Sequence, residues 1–120
     1  MTRVLVVDDS AVARRLVAGI IGREEDLEVV GMAADGAEAV LLAERLRPDV
    51  ITMDIVMKDM GGLEAVREIR KIDPDARILM CSAMSPPQLV EEAISAGASE
   101  FVVKPFQPSG LLEAMQRVVG

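Results

Sequence analysis

Three aspartates at two points of the chain are candidate ligands for a metal ion. Asp8 and Asp9 directly follow the apolar run LVV, and Asp54 directly follows VITM. If these runs are neighbouring strands, the carboxylates share one pocket, where two charges ~5 Å apart repel by roughly 3 kcal/mol at an effective dielectric constant of about 20. Oxygen ligands without histidine or thiolate select a hard cation, and Mg2+ needs fewer carboxylates than Ca2+. The spacing therefore predicts a magnesium site at Asp8, Asp9 and Asp54.

Two further polar residues, Ser82 and Lys104, each follow an apolar run as well. A hard cation, a buried carboxylate, a hydroxyl and a lysine are the groups used in phosphoryl transfer, because they position the reactants and neutralise charge. The chain has no histidine, so these groups would have to carry the chemistry. Taken singly, Asp9 or Ser10 could cap a helix, and Lys104 could be a solvated charge. Their conjunction favours one common site.

The segments that must position these residues follow an α/β pattern. Short apolar runs rich in valine and isoleucine alternate with segments of helical periodicity. Strands are predicted over residues 3–7, 27–33, 49–53, 77–81 and 100–104. An amphipathic helix is predicted after each strand, the fourth with Ser85 as N-cap, Pro86 as first helical residue and Gly97 after its end. The carboxyl ends of parallel strands meet at one edge of the sheet, so the polar residues are expected to converge there.

Composition restricts the classes of protein and partner. A chain of 120 residues predicts one domain spanning 1–120. Its formal net charge of −7 disfavours nucleic acid as a partner. No apolar run approaches the ~20 residues of a membrane span and no signal-peptide pattern is present, so we expect no membrane association and a cytoplasmic protein.

Several side chains are interpreted as structural. Cys81, within ILMCS, is expected to be a small buried hydrophobe. The methionines around the third and fourth strands are expected to fill the core, with an adaptable partner surface as the alternative: Met53, Met57, Met60, Met80 and Met84. The basic residues of the third helix, Arg67, Arg70 and Lys71, are expected on a solvated face.

The stretches VLVVDDSA, MDIVM, CSA and FVVKPF, at their spacing, resemble a response-regulator receiver domain over the whole chain. MDIVM with ILMCSAM and FVVKPFQPS resembles in particular the stand-alone chemotaxis regulators of the CheY type. The resemblance implies a flavodoxin-like three-layer sandwich with five helices and a five-stranded parallel sheet. The implied strand order is 2-1-3-4-5, of which this family is itself a standard example.

The resemblance also implies roles for single residues. Asp54 corresponds to the aspartate that takes a phosphoryl group from a phosphohistidine of a partner kinase. Asp9 corresponds to a direct Mg2+ ligand and Asp8 to an acid that holds the ion through water, and the backbone carbonyl of Val56 is implied as a third protein contact. Lys104 corresponds to the lysine that pairs with Asp54 and then with its phosphoryl oxygens.

A conformational switch is implied by three further positions. Ser82 corresponds to the hydroxyl that moves to the phosphoryl group, and Phe101 to the aromatic residue that follows it. Chemotaxis members often have tyrosine there, so a switch with Phe101 has to rely on packing. Pro105 corresponds to a proline usually preceded by a cis peptide bond.

The partners implied are a sensor histidine kinase of the CheA type and a flagellar motor switch protein of the FliM type, with a phosphatase as a further candidate. The chain would act as a monomer and a phosphoacceptor, not as a conventional enzyme. Lys58 and Gly61 depart from the family, which usually has proline and Asn or Asp there. We expect a looser loop, with Lys58 affecting kinase docking or phosphoryl lifetime more than stability.

Alternatives remain within and outside this family. The chain could be the receiver of a longer regulator with another output, or a pseudo-receiver that binds partners without phosphorylation. A dehalogenase-like phosphatase is disfavoured because its second acid lies two residues after the first, whereas Asp8 and Asp9 are adjacent. A flavodoxin-like electron carrier is disfavoured because the chain has neither Trp nor Tyr to stack on a flavin.

Overall fold

The computed structural model describes residues 1–57, 59–83, 86–105 and 107–119. Strands and helices alternate along the chain in the order β1 Thr2–Val7, α1 Ala11–Gly22, β2 Leu27–Ala33, α2 Gly36–Leu46, β3 Val50–Asp54, α3 Gly62–Ile72, β4 Arg77–Ser82, α4 Pro87–Ala96, β5 Glu100–Val103 and α5 Pro108–Val119. No helix in the described ranges is long and apolar enough to cross a membrane.

The strands form one parallel sheet in the order β2-β1-β3-β4-β5. One apolar cluster packs residues of α2, α3 and α4 against one face, and a second packs residues of α1 and α5 against the other. Successive residues of a strand point to opposite faces, so Leu5 and Val7 belong to the first cluster and Val4 and Val6 to the second. The predicted fold class, with its strand order and three layers, is confirmed.

The strand ends differ from the predicted bounds by at most one residue. β3 runs one residue later than predicted, because Asp54 still pairs with Cys81 of β4. β4 extends to Ser82, and β5 ends at Val103, one residue before Lys104. Asp54 and Ser82 are therefore the last residues of their strands, whereas Asp8 and Lys104 follow their strands directly. Asp9 is the second residue after β1.

The start of α4 corrects one prediction. Pro86 is the N-cap residue and Pro87 the first helical residue, so placing Pro86 inside the helix was wrong by one position. Among the described residues no side chain caps this helix start, and Ser85, the predicted cap, lies outside them. Gly97 ends the helix as predicted, with φ of 122°.

Arg70 corrects a second prediction, since it does not belong to a solvated face. Its half-buried guanidinium donates to the carbonyl oxygen of Gly97 from two nitrogens, at 2.8 and 2.6 Å, to that of Pro74 at 3.0 Å, and to that of Ala76. The loops before β4 and β5 present these carbonyls at the edge of the sheet where strands begin. Arg67 and Lys71 are exposed as expected.

The remaining structural interpretations concern the methionine and cysteine side chains. Met53 and Met80 are fully buried, which confirms core filling for these two, whereas Met57 and Met60 are partly buried against the first cluster. Met84 lies outside the described residues. Cys81 is buried as predicted, and this burial raises the pKa of its thiol to about 12.

Candidate metal centre

The predicted polar residues lie at the edge of the sheet formed by the carboxyl ends of the strands. Asp8 follows β1 directly, Asp54 ends β3 and Ser82 ends β4. Lys104 follows β5, and its backbone N–H donates to the carbonyl oxygen of Ser82 at 2.7 Å. Because β3 lies between β1 and β4, Asp54 occupies the middle of this edge.

Asp8, Asp9 and Asp54 form a compact acidic cluster. One carboxylate oxygen of each lies within 4.8 Å of those of the other two. Asp8 is buried, Asp54 is half-buried and Asp9 is exposed, so the cluster opens to solvent on one side. Three carboxylates without a nitrogen or sulfur donor suit a hard divalent cation, and the open side leaves room for the waters that Mg2+ keeps. The Val56 side chain is exposed, and a role of its carbonyl stays a prediction.

Lys104 lies between two of the carboxylates. Its Nζ is 2.6 Å from Oδ2 of Asp8 and 3.7 Å from Oδ1 of Asp54. The hydrogen bond is thus made to Asp8, while Asp54, the partner implied by the family resemblance, is at ion-pair distance. The peptide bond between Lys104 and Pro105 is cis.

Burial and neighbouring charges shift two pKa values in this pocket. Burial raises the pKa of Asp54 above its usual 3.8, the charges of Asp8 and Asp9 act in the same direction, and Lys104 only partly offsets them. Burial works to lower the pKa of Lys104, but its hydrogen bond to Asp8 and the charges of Asp54 and Asp8 outweigh burial and raise it. The pocket therefore does not fully neutralise the charge of an ionised Asp54, and a bound cation would supply the missing positive charge.

Ser82 and Phe101 lie on the same face of the sheet. Phe101 pairs with Met80 in the ladder between β4 and β5, and Ser82 lies two residues after Met80. Side chains two residues apart point to the same face, which here is the face covered by α2, α3 and α4. Ser82 is buried, and Phe101 is partly buried against the first cluster. A movement of Ser82 would thus change the surroundings of Phe101.

Ser10, not Asp9, caps the helix that follows β1. Its hydroxyl accepts the N–H of Ala13 at 3.2 Å, which decides between the two caps considered from the sequence. Its own N–H donates to Oδ1 of Asp8 at 2.9 Å. The carboxylate of Asp9 therefore remains with the acidic cluster.

Arg14 and Gly62 belong to this region and were not found by sequence reasoning. Arg14 donates from a terminal guanidinium nitrogen to the carbonyl oxygen of Asp8 at 2.6 Å. Gly62 begins α3 so close to β3 that a Cβ atom there would collide with the main chain of Asp54 and Ile55. The doublet of Gly61 and Gly62 was the available signal, although only Gly61 was considered, as a departure from the family. Gly61 is the N-cap residue of α3.

The fold and this site together define a doubly wound α/β domain with an acidic, lysine-containing pocket at the ends of its strands. Comparison with protein families identifies the domain: the family described as response regulator receiver domain matches residues 4–116. The chain belongs to this family.

Similar proteins agree with that membership. The chain is 51% identical over 116 residues to chemotaxis protein CheY of Thermotoga maritima, covering 97% of this chain and 96% of that protein. A crystal structure of the response regulator domain of Thermotoga maritima CheB has a TM-score of 0.93 and 39% identity, covering 99% of this chain and 96% of that one. A structure of the CheX–CheY–BeF3–Mg2+ complex from Borrelia burgdorferi has a TM-score of 0.95 and 33% identity, with coverages of 99% and 85%.

Proposed function

We propose that this protein is a phosphorylatable receiver whose Asp54 accepts a phosphoryl group and thereby changes the affinity of the protein for a partner. The observation that carries the proposal is the position of Asp54 within the acidic cluster, 3.7 Å from the Nζ of Lys104. A nucleophilic carboxylate, a cation site and a lysine are then within reach of one transferred group. The alternative of a pseudo-receiver is disfavoured because each of these groups is present.

In the transfer, a carboxylate oxygen of Asp54 forms a bond to phosphorus while the phosphorus–nitrogen bond of a phosphohistidine breaks. The electron pair stays on the imidazole nitrogen of the donor, and Asp54 becomes an acyl phosphate. Water later removes the group as phosphate and restores the carboxylate. Because the protein is consumed and regenerated in this cycle, we describe it as a phosphoacceptor and not as a conventional enzyme.

The residues proposed to hold Mg2+ are Asp8, Asp9 and Asp54, with the backbone carbonyl of Val56. When bound, the ion neutralises charge on the oxygens of the transferred group. Lys104 supplies further positive charge. Since phosphorylation adds about 1.5 to 2 negative charges, we expect the Nζ of Lys104 to move from Asp8 towards the phosphoryl group on Asp54.

The switch is proposed to run from Ser82 to Phe101. The hydroxyl of Ser82 would turn to the phosphoryl oxygens, and Phe101 would move into the space beside it, so that the surface of α4, β5 and α5 changes shape. A phenylalanine cannot report its position through a hydroxyl hydrogen bond. The coupling therefore has to come from packing.

We propose that the signal belongs to chemotaxis, with a CheA-type histidine kinase as donor, a FliM-type motor switch protein as target and a phosphatase as a further candidate partner. The similarity to chemotaxis protein CheY over nearly the whole of both chains supports this assignment. The chain would be one receiver domain over residues 1–120, monomeric, cytoplasmic and without affinity for nucleic acid or membrane. The similarity to the response regulator domain of CheB supports the alternative of a receiver within a larger regulator.

Intact mass spectrometry after incubation with phosphoramidate or acetyl phosphate, with and without Mg2+, tests the phosphoacceptor. We expect a gain of one phosphoryl group that requires Mg2+ and is absent in Asp54→Asn. Asp59→Asn is the matched control, because Asp59 is an exposed aspartate after the same strand and its φ of 62° suits asparagine equally well. An adduct that persists in Asp54→Asn, or none in the wild type after rapid trapping, would contradict the proposal.

A further inference from the structure

Asp8 is held at every polar group of its main chain and side chain. Its N–H donates to the carbonyl oxygen of Ala33 at 3.1 Å, and its carboxylate accepts from the N–H of Ser10 and from Lys104. The fourth contact comes from Arg14, whose guanidinium donates to the carbonyl oxygen of Asp8 at 2.6 Å. Three of these contacts fix Asp8 itself, whereas the contact with Arg14 acts on the peptide unit that leads to Asp9.

The carbonyl of Asp8 and the Cα of Asp9 lie in one rigid plane, because the peptide bond between them is planar. A donor that fixes the carbonyl oxygen therefore fixes the direction from which Asp9 leaves the strand. Asp9 is exposed, and among the described residues its carboxylate has no hydrogen bond of its own. The direction in which the Asp9 side chain leaves the main chain thus depends on the plane before it and on Ser10, the helix cap after it.

We propose that Arg14 is a positioning residue for the metal site, which sets the peptide plane between Asp8 and Asp9 so that the Asp9 carboxylate points into the acidic cluster before the ion binds. This inference rests on the proposed function, since it concerns the same cation site. Arg14 touches neither the ion nor the transferred group. It acts through the main chain of Asp8 and Asp9, two residues proposed to hold the ion.

A purely electrostatic role for Arg14 predicts the opposite change in Mg2+ affinity when Arg14 is removed. A positive charge near the cluster repels a cation, so removing it would tighten Mg2+ binding. The positioning role, which follows from the contact of Arg14 with the carbonyl oxygen of Asp8, predicts instead that loss of Arg14 weakens Mg2+ binding.

The test is a Mg2+ titration followed by 1H–15N NMR, which reads the amides of Asp9 and Asp54 in the folded protein without substrate or turnover. Arg14→Met should raise the Kd for Mg2+ by roughly tenfold, the lower range for residues that orient a metal ligand. Arg14→Lys keeps a donor of similar reach and should recover most of the affinity. Because the signals come from folded molecules, partial unfolding of a variant does not obscure the result.

Two variants separate positioning from general effects. Arg15→Met removes the same charge from the next residue of α1, which is exposed, and should leave the Kd unchanged. Arg3→Met removes a comparable arginine-to-carbonyl contact, 2.7 Å to Leu46, at the far edge of the sheet. It should lower stability and leave the Kd unchanged.

An unchanged or lower Kd in Arg14→Met, or an equal rise in Arg3→Met, would overturn the inference. Failure of the proposed function has a different signature. In that case the wild type itself would show no saturable shift at Asp9 and Asp54, whatever the residue at position 14.

Discussion

Replacing Arg70 by methionine should destabilise the protein more than any other single change on the charged side of α3. The guanidinium contacts carbonyl oxygens in two loops that are distant in sequence, before β4 and before β5. Each hydrogen bond with a charged donor contributes about 1.5 to 3 kcal/mol at most. Arg70 is half-buried and the freed carbonyls can partly rehydrate, so we expect a net loss of about 2 to 4 kcal/mol of unfolding free energy.

The loss is measurable as a shift in melting temperature. For 120 residues, an unfolding entropy of about 2.1 cal/mol/K per residue makes 1 kcal/mol equivalent to roughly 4 °C, and the expected shift is ~8 to 16 °C. The chain lacks Trp and Tyr, so far-UV circular dichroism in urea and on heating is the suitable assay. Methionine retains most of the aliphatic packing of the arginine stem, so the change reports mainly the lost hydrogen bonds.

Arg67→Met is the matched control, because Arg67 lies one turn earlier on the same helix and is exposed. It should change stability by no more than about 0.5 kcal/mol. If Arg70→Met also stayed within that range, the contacts with Gly97 and Ala76 would contribute nothing net, and the reasoning would be refuted.

Three further changes test other parts of the structure. Gly62→Ala should lower the unfolding free energy measured in urea by about 1 to 3 kcal/mol, because its Cβ would collide with the main chain of Asp54. Gly61→Ala is the control: its Cβ would lie 3.5 Å from its nearest neighbour, so it should cost no more than about 1 kcal/mol, as the loss of a cap. Asp54→Asn should raise the melting temperature at pH 7 without Mg2+. The folded state raises the pKa of Asp54, so its ionised form destabilises the protein at neutral pH. The gain in melting temperature should therefore vanish as the pH falls below 3.8, where Asp54 is protonated in both the folded and the unfolded state. A gain that stays constant with pH would exclude the charge of Asp54 as its cause. Lys58→Pro should change the phosphorylation or decay rate of Asp54 more than the melting temperature, and unchanged rates would refute the role predicted for Lys58.

The strands, their parallel direction and their common edge could be predicted from the sequence pattern, whereas the strand order, which the structure confirms, came from the family resemblance. Continuous apolar runs such as VLVV and VITM are typical of parallel strands covered on both faces, and their alternation with helices places every strand end at one edge. Asp8, Asp54 and Lys104 could therefore be brought together without coordinates. Strand ends were less certain, since a residue such as Asp54 can pair in the ladder and still present its side chain to the site.

The arginines could not be assigned from sequence, because their partners are main-chain carbonyls that carry no sequence signal. Arg14 and Arg15 are adjacent and chemically identical, yet only Arg14 reaches back to the end of β1. Arg70 is flanked by exposed basic residues, and its contact with Gly97 spans 27 positions. The same limit applies to Gly62, whose necessity comes from a close approach of two segments and not from its own backbone angles.

The charges of the pocket account for how Lys104 would respond to the proposed phosphorylation of Asp54. Asp8, Asp9 and Asp54 carry three negative charges, and Lys104 supplies one positive charge, nearer to the buried Asp8 than to Asp54. A bound divalent cation would balance the remaining two charges, which would leave Lys104 without a strong preference between the carboxylates. A phosphoryl group on Asp54 would add negative charge on one side only. Because the Nζ of Lys104 is already 3.7 Å from Oδ1 of Asp54, a displacement of about 1 Å would bring it to hydrogen-bond distance on that side. In the proposed function, an ion held by Asp8, Asp9 and Asp54 would thus serve the transfer and would also free Lys104 to respond to its outcome.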